Sequence, residues 1–134
     1  MDMESSVNAY HQSRVLSDNP DFLGRELYRA VYRDLLGMDA ALREQRWDRL
    51  TNLGSHAQLI ITALHDVAKT DTPEGMAFKT AHLAMWRMLN DIIRKHDAGT
   101  LADLTQTITE LIHQLDYRLQ KPVSQEPAVL GWSG

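Results

Sequence analysis

Cysteine is absent from the 134 residues, which excludes disulfides, Cys-ligated zinc, iron–sulfur clusters and thiol nucleophiles together. Long apolar runs are missing as well. None approaches the ~20 consecutive residues that span a bilayer, so no membrane insertion is expected. Surplus positive charge is also lacking: 14 Lys and Arg stand against 18 Asp and Glu, a net −4. Such a surface does not draw in phosphate backbones, and no nucleic-acid partner is expected. The opening Met1-Asp2-Met3-Glu4-Ser5-Ser6 is acidic and polar, where a signal peptide is basic and then apolar. These absences predict a soluble, cytoplasmic protein. What remains is 43% apolar and 24% charged, enough to bury a genuine core within one domain.

Four prolines are present, and two of them mark helix starts. Asn19-Pro20-Asp21 and Thr72-Pro73-Glu74 each place a side-chain acceptor before a Pro. The acceptor caps a free amide of the first turn, and the Pro lacks only an N–H that would have had no helical partner. After the first signal Leu23, Leu27, Val31, Leu35, Met38 and Leu42 recur at helical spacing, to an end near Glu44-Gln45. A second helix opens around Trp47-Asp48 with Leu50, Leu53, Ala57, Ile60, Ile61, Leu64 and Val67 as its stripe. The third carries Phe78, Ala81, Met85, Met88, Leu89 and Ile92, and Arg94-Lys95-His96 oppose the negative end of its dipole. Asp97-Ala98-Gly99 reads as a turn, and Thr100 with Asp103 as a capping box opening the fourth helix. That helix runs through Leu101, Leu104, Ile108, Leu111, Leu115 and Leu119 and stops at Lys121-Pro122. No stretch shows strand alternation with hairpin chemistry. The pattern predicts an all-α fold, an antiparallel up-down four-helix bundle over residues 19–120. Residues 1–18 are expected to be a mobile N-terminal segment, and 121–134, with Leu130 and Trp132, a flexible C-terminal tail.

Catalytic and metal chemistry find little support. Six histidines are present, His11, His56, His65, His82, His96 and His113, and Glu110-Leu111-Ile112-His113 has the Glu-x-x-His spacing of di-iron bundles. No second such pair exists, and at ~100° per residue Glu110 and His113 turn away from the apolar face. The histidines are therefore expected to be ordinary surface residues, with no metal and no cofactor. Serines lie in the tails apart from Ser55, without a nucleophile elbow, and no glycine-rich phosphate loop occurs. The chain is not expected to be an enzyme.

Apolar surplus is the positive lead. Tyr28, Tyr32 and Leu36 form a second line beside the stripe of the first helix. In the third, Leu83, Met85, Trp86, Met88 and Leu89 are apolar around more than half the circumference. Met-rich helical faces adapt to different guests, because unbranched thioethers repack easily. Gly54-Ser55 leaves a notch in the second helix that admits a neighbouring helix or one from elsewhere.

In order and spacing, several of these segments resemble the FliS family of flagellin export chaperones. Ala9-Tyr10, Val15, Asn19-Pro20 and Leu27-Tyr28 follow the family's Ala-Tyr, Val, helix start and Leu-Tyr. Asn52-Leu53 and Ala57-Gln58-Leu59-Ile60-Ile61-Thr62-Ala63-Leu64 are similar to its Ala-Gln-Asp-Ile-Ile-x-x-Leu segment. Ala84-Met85-Trp86-Arg87-Met88-Leu89-Asn90 stands where it has Ala-Leu-Tyr-Asp-Tyr-Met. The match covers about residues 9–119. The resemblance implies a cytoplasmic bundle that binds the disordered C-terminal segment of flagellin, prevents premature polymerisation and engages the export apparatus. It implies that Tyr10 and Val15 belong to an N-terminal cover or groove edge. Leu27, Tyr28, Val31 and Tyr32 of the first helix, with Leu53, Ala57, Ile60, Met85, Trp86 and Leu89, would line or support the groove. The alternative is a bundle adaptor for a different helical partner or secretion substrate.

Overall fold

The computed structural model describes residues 20–68 and 70–120, and among them the chain is helix and short connections only. The four helices are α1 (Pro20–Arg43), α2 (Trp47–Val67), α3 (Pro73–Lys95) and α4 (Ala98–Gln120). Asn19, the Lys121-Pro122 stop, the segments 1–18 and 121–134, and with them Tyr10, Val15, Leu130 and Trp132, lie outside the described residues.

Local chemistry explains the boundaries. At the start of α3, Thr72 is extended and its hydroxyl accepts the Gly75 N–H at 3.0 Å, with Pro73 in the first turn. At the end of α1, the Arg46 N–H reaches Ala41 O at 2.8 Å and the Gln45 N–H reaches Leu42 O at 3.2 Å. That is the paired closure of a Schellman motif, and it puts Gln45 in the left-handed region with φ 56°.

The α3–α4 connection differs from the sequence reading. His96 makes the turn, with φ 54° and its N–H on Ile92 O at 2.9 Å. Gly99 is already helical. The cap is Asp97, which accepts the Thr100 N–H at 3.0 Å and the Thr100 hydroxyl at 2.9 Å. Thr100 is thus a donor inside the first turn rather than the cap. An Asp at this position takes both protons, whereas a capping Thr100 would leave the amides of Ala98 to Thr100 outside the helix. Those bonds, the amide first, hold the Asp97 carboxyl below the usual carboxylate range.

Side-chain pairs fix the packing as antiparallel between neighbours. Asp34 of α1 meets His56 of α2, and Gly37 faces Leu53. Along α1 and α4, Arg25 donates to Asp116 at 2.9 Å and Arg118 to Asp21 at 3.1 Å, so the start of α1 lies by the end of α4. Helices α1, α2 and α3 pack in sequence and α4 closes against α1; the α3–α4 seam is the loosest. The core runs through Tyr28, Val31, Leu35 and Met38 of α1, Leu50, Ile60, Ile61 and Leu64 of α2, Leu89 and Ile92 of α3, and Leu104, Ile108 and Leu115 of α4. Apolar burial on this scale, at ~25 cal/mol per Å², is the main force holding the rods together.

The notch at Gly54 is filled from within. A Cβ there would stand 2.7 Å from both Cδ1 and Cγ1 of Ile93 and 3.2 Å from Met38 Cε. Glycine is what lets α3 approach α2 so closely, and no external helix enters at this point. Among the described residues no helix is long and apolar enough to cross a membrane.

Candidate functional site

An open apolar trough of about 280 Å³ lies between α2 and α3, lined by Ile61, Thr62 and His65 on one side and His82, Leu83 and Trp86 on the other. Antiparallel packing sets these residues opposite each other, and a polar link crosses at each end. The Gln58 amide donates to Trp86 O at 3.3 Å, and the Lys79 ammonium donates to His65 O at 2.7 Å. The Lys79 bond lies by the last turn of α2, where carbonyls lack helical partners and the dipole favours a cation.

Large apolar side chains stay in solvent along this part of α3: Met76 is 48% exposed, Leu83 45% and Trp86 38%. Met76 and Leu83 are seven residues apart and Trp86 three further, so all three share one helix face. Leu36 on α1 is also exposed.

Beneath the trough sits a polar pair that the apolar surroundings would not suggest. His82 has no exposed surface, and its Nε2 lies 2.6 Å from the Tyr28 hydroxyl, reaching across from α3 to α1. The Phe78 ring flanks His82 at 6.1 Å between centroids. Burial pushes the Tyr28 phenol far up, so it keeps its proton. Burial, helped by the charges of His65 and Lys79, pushes His82 down to about 4, so its imidazole is neutral at physiological pH. A fully buried phenol proton needs an acceptor. The Tyr28 O–H therefore donates to Nε2, and the imidazole proton sits on Nδ1. Nδ1 is itself buried and makes no hydrogen bond among the described residues.

A second histidine pair lies on the α1–α2 contact, with His56 Nδ1 at 2.6 Å from Asp34 Oδ2. Burial raises the Asp34 carboxyl, and His56 and Arg33 partly offset it. On the surface the His96 ring stacks on Trp47 at 3.9 Å.

The sequence-derived candidates divide by depth. Leu27, Tyr28, Val31, Ala57, Ile60, Met85 and Leu89 are buried in the core, where a guest does not reach them. They support the bundle and do not line its surface, because each packs into the core between the helices. Tyr32 and Leu53 are half-buried, packed against that core. Only Trp86 among the described candidates both lines the trough and meets solvent. Tyr10 and Val15 lie outside the described residues. The sequence reading passed over Ile61, Thr62, His65 and His82 as a group.

The expectation of surface histidines needs correcting at His82, which is wholly buried, and at His56, which is paired with Asp34. The signal for His82 was present: Phe78, His82, Met85 and Leu89 step by four, three and four, so the ring occupies a core position of the stripe. Glu110 and His113 are exposed. Among the described residues, no three His, Asp or Glu side chains come together to hold a metal ion.

No family model matches the chain, and no curated protein matches its sequence.

Proposed function

We propose that this protein is a cytoplasmic export chaperone that receives an amphipathic segment of an unfolded client along the α2–α3 face. The client favoured by the resemblance in sequence is the C-terminal segment of flagellin. The observation that supports the reading is the exposed Met76–Leu83–Trp86 face beside an apolar trough. A guest helix with apolar residues at positions i, i+3 or i+4, and i+7 covers such a face, as in other helix-in-groove complexes. The role asks for no catalytic group. A client that orders only on binding gives up part of the interaction energy as lost conformational freedom, and release at the point of export stays feasible.

Calorimetry of the full chain with a flagellin C-terminal segment, alongside gel filtration, tests this directly. A saturable complex is expected, weakened about tenfold or more by Trp86→Ala, since a buried aromatic anchor carries a disproportionate share of such affinities. Absence of a complex at tens of micromolar protein contradicts the flagellin assignment. Binding of a different helical segment at the same trough would instead favour the adaptor reading.

A further inference from the structure

Leu130 and Trp132 are apolar residues beyond the last helix, and an open apolar site lies within their reach. Arg118 donates to Asp21 at 3.1 Å, so α4 ends beside the start of α1. Lys79 of α3 bonds His65 of α2, which brings the end of α2 and the start of α3 to that same end of the antiparallel bundle. The trough opens close by. His65 stands in the last turn of α2, and Trp86, the farthest lining residue along α3, lies ~20 Å from Pro73 at ~1.5 Å per residue.

We propose that residues 121–134 fold back so that Leu130 and Trp132 occupy the α2–α3 trough of their own chain, as an intramolecular occupant that an incoming client displaces. Only the displacement rests on the chaperone reading; the docking does not. Length permits it. From Gln120 to Leu130 about ten residues of extended chain span up to ~33 Å. The path needs ~28 Å, from ~20 Å along α3 and about two helix spacings of ~10 Å across the bundle. Pro122 and Pro127 disfavour helix in the stretch between, which preserves that reach. The apolar pattern fits as well. In extended chain, residues two apart face the same way, so Leu130 and Trp132 present together across Gly131. The trough volume of about 280 Å³ falls below the ~300–1,000 Å³ of small-molecule sites and suits one or two protein side chains. Residues 1–18 fit less well: Val7 and Tyr10 stand singly, and Val15-Leu16 have only ~13 Å of extended chain before Pro20. Tethering raises the effective concentration of a linked segment into the millimolar range, so two apolar anchors suffice to populate the docked state and still yield to a longer client helix.

The absence of cysteine makes the test clean, since Ser133→Cys gives the full chain a single attachment point for a nitroxide. In the ¹⁵N-labelled protein, paramagnetic broadening is expected to remove most of the signal of Thr62, His65, Leu83 and the Trp86 indole N–H, and reduction of the nitroxide to restore it. Asp48 and Asp103, near the starts of α2 and α4 at the opposite end of the bundle, should keep their signal. Leu130→Ser with Trp132→Ser in the same nitroxide-bearing chain should restore the trough signals, and neither substitution falls within the four helices. A trough that keeps its signal, loss spread evenly over the surface, loss centred on Phe22 and Tyr117, or broadening unchanged by the double substitution each overturns the proposal. So does broadening carried from a nitroxide-bearing ¹⁴N chain to a nitroxide-free ¹⁵N chain in a mixed sample, which would assign the trough to the segment of a second copy. No client is present in the experiment, so its failure leaves the flagellin assignment standing.

Discussion

Acidification should weaken the bundle through His82, and the size of the effect follows from its burial. In the folded protein burial pushes this imidazole down to about 4, from the ordinary histidine value of 6.5. Between those values the unfolded chain takes up a proton that the folded chain refuses. Stability therefore rises with pH across that window and is lost as pH falls through it. The full span is worth about 3 kcal/mol, at ~1.4 kcal/mol per pH unit, a large part of the 5–15 kcal/mol that holds a typical domain together. Asp34 acts in the opposite direction. Its raised carboxyl keeps a proton in the fold that the unfolded chain releases, so its contribution grows as pH falls. A comparison of the wild type with His82→Gln isolates the first effect. Gln does not titrate, its carbonyl can still accept from the Tyr28 hydroxyl, and Asp34 is common to both proteins. Urea unfolding from about pH 7 down to about pH 4 should show the wild type losing roughly 3 kcal/mol relative to the variant. Parallel pH dependences in the two proteins would refute the argument that His82 is held neutral by burial.

Other expectations concern packing, turns and caps. Gln45→Gly should raise stability by about 1 kcal/mol, because φ 56° costs a side-chain-bearing residue and not glycine, as thermal melts will show. Gly54→Ala should destabilise by roughly 1–3 kcal/mol, since its Cβ would press on Cγ1 of Ile93, which cannot swing clear. Gly37→Ala, by contrast, meets chiefly the tip of Leu53 and should be close to neutral in the same urea assay. Thr72→Ala should cost about 1 kcal/mol through the lost bond to the Gly75 N–H. Leu89→Ala should cost about 2–5 kcal/mol of fold stability. Trp86→Ala should leave the melting temperature near that of the wild type while weakening client binding.

The bundle was legible because helix starts and stripes are local signals. Pro20 and Pro73 stand at the first residue of their helices, and the apolar stripes predicted which faces turn inward. The α3–α4 turn was misread because Gly99 looks like a turn residue, while Asp97 offers the stronger cap and His96 accepts the left-handed geometry. The site was less legible for a physical reason. Apolar surplus on a helix does not say which part of it the neighbouring helices consume. Tyr28 belongs to the second apolar line of α1 yet is wholly buried, because it finds His82 across the bundle; Leu36, on the same line, finds nothing comparable among the described residues and stays exposed. Pairing between residues 54 positions apart leaves no trace in periodicity. Arg25 and Arg29 likewise reach Asp116, about 90 positions along the chain, and tie α1 to α4.

Whether a guest chain occupies the face between α2 and α3 can be read from amide chemical shifts of the full ¹⁵N-labelled protein titrated with the flagellin C-terminal segment. Saturable shifts centred on Ile61–His65 and His82–Trp86, with the Trp86 indole N–H among the largest, are the predicted result. A titration that leaves those two stretches unmoved, while the segment binds elsewhere or not at all, would contradict it.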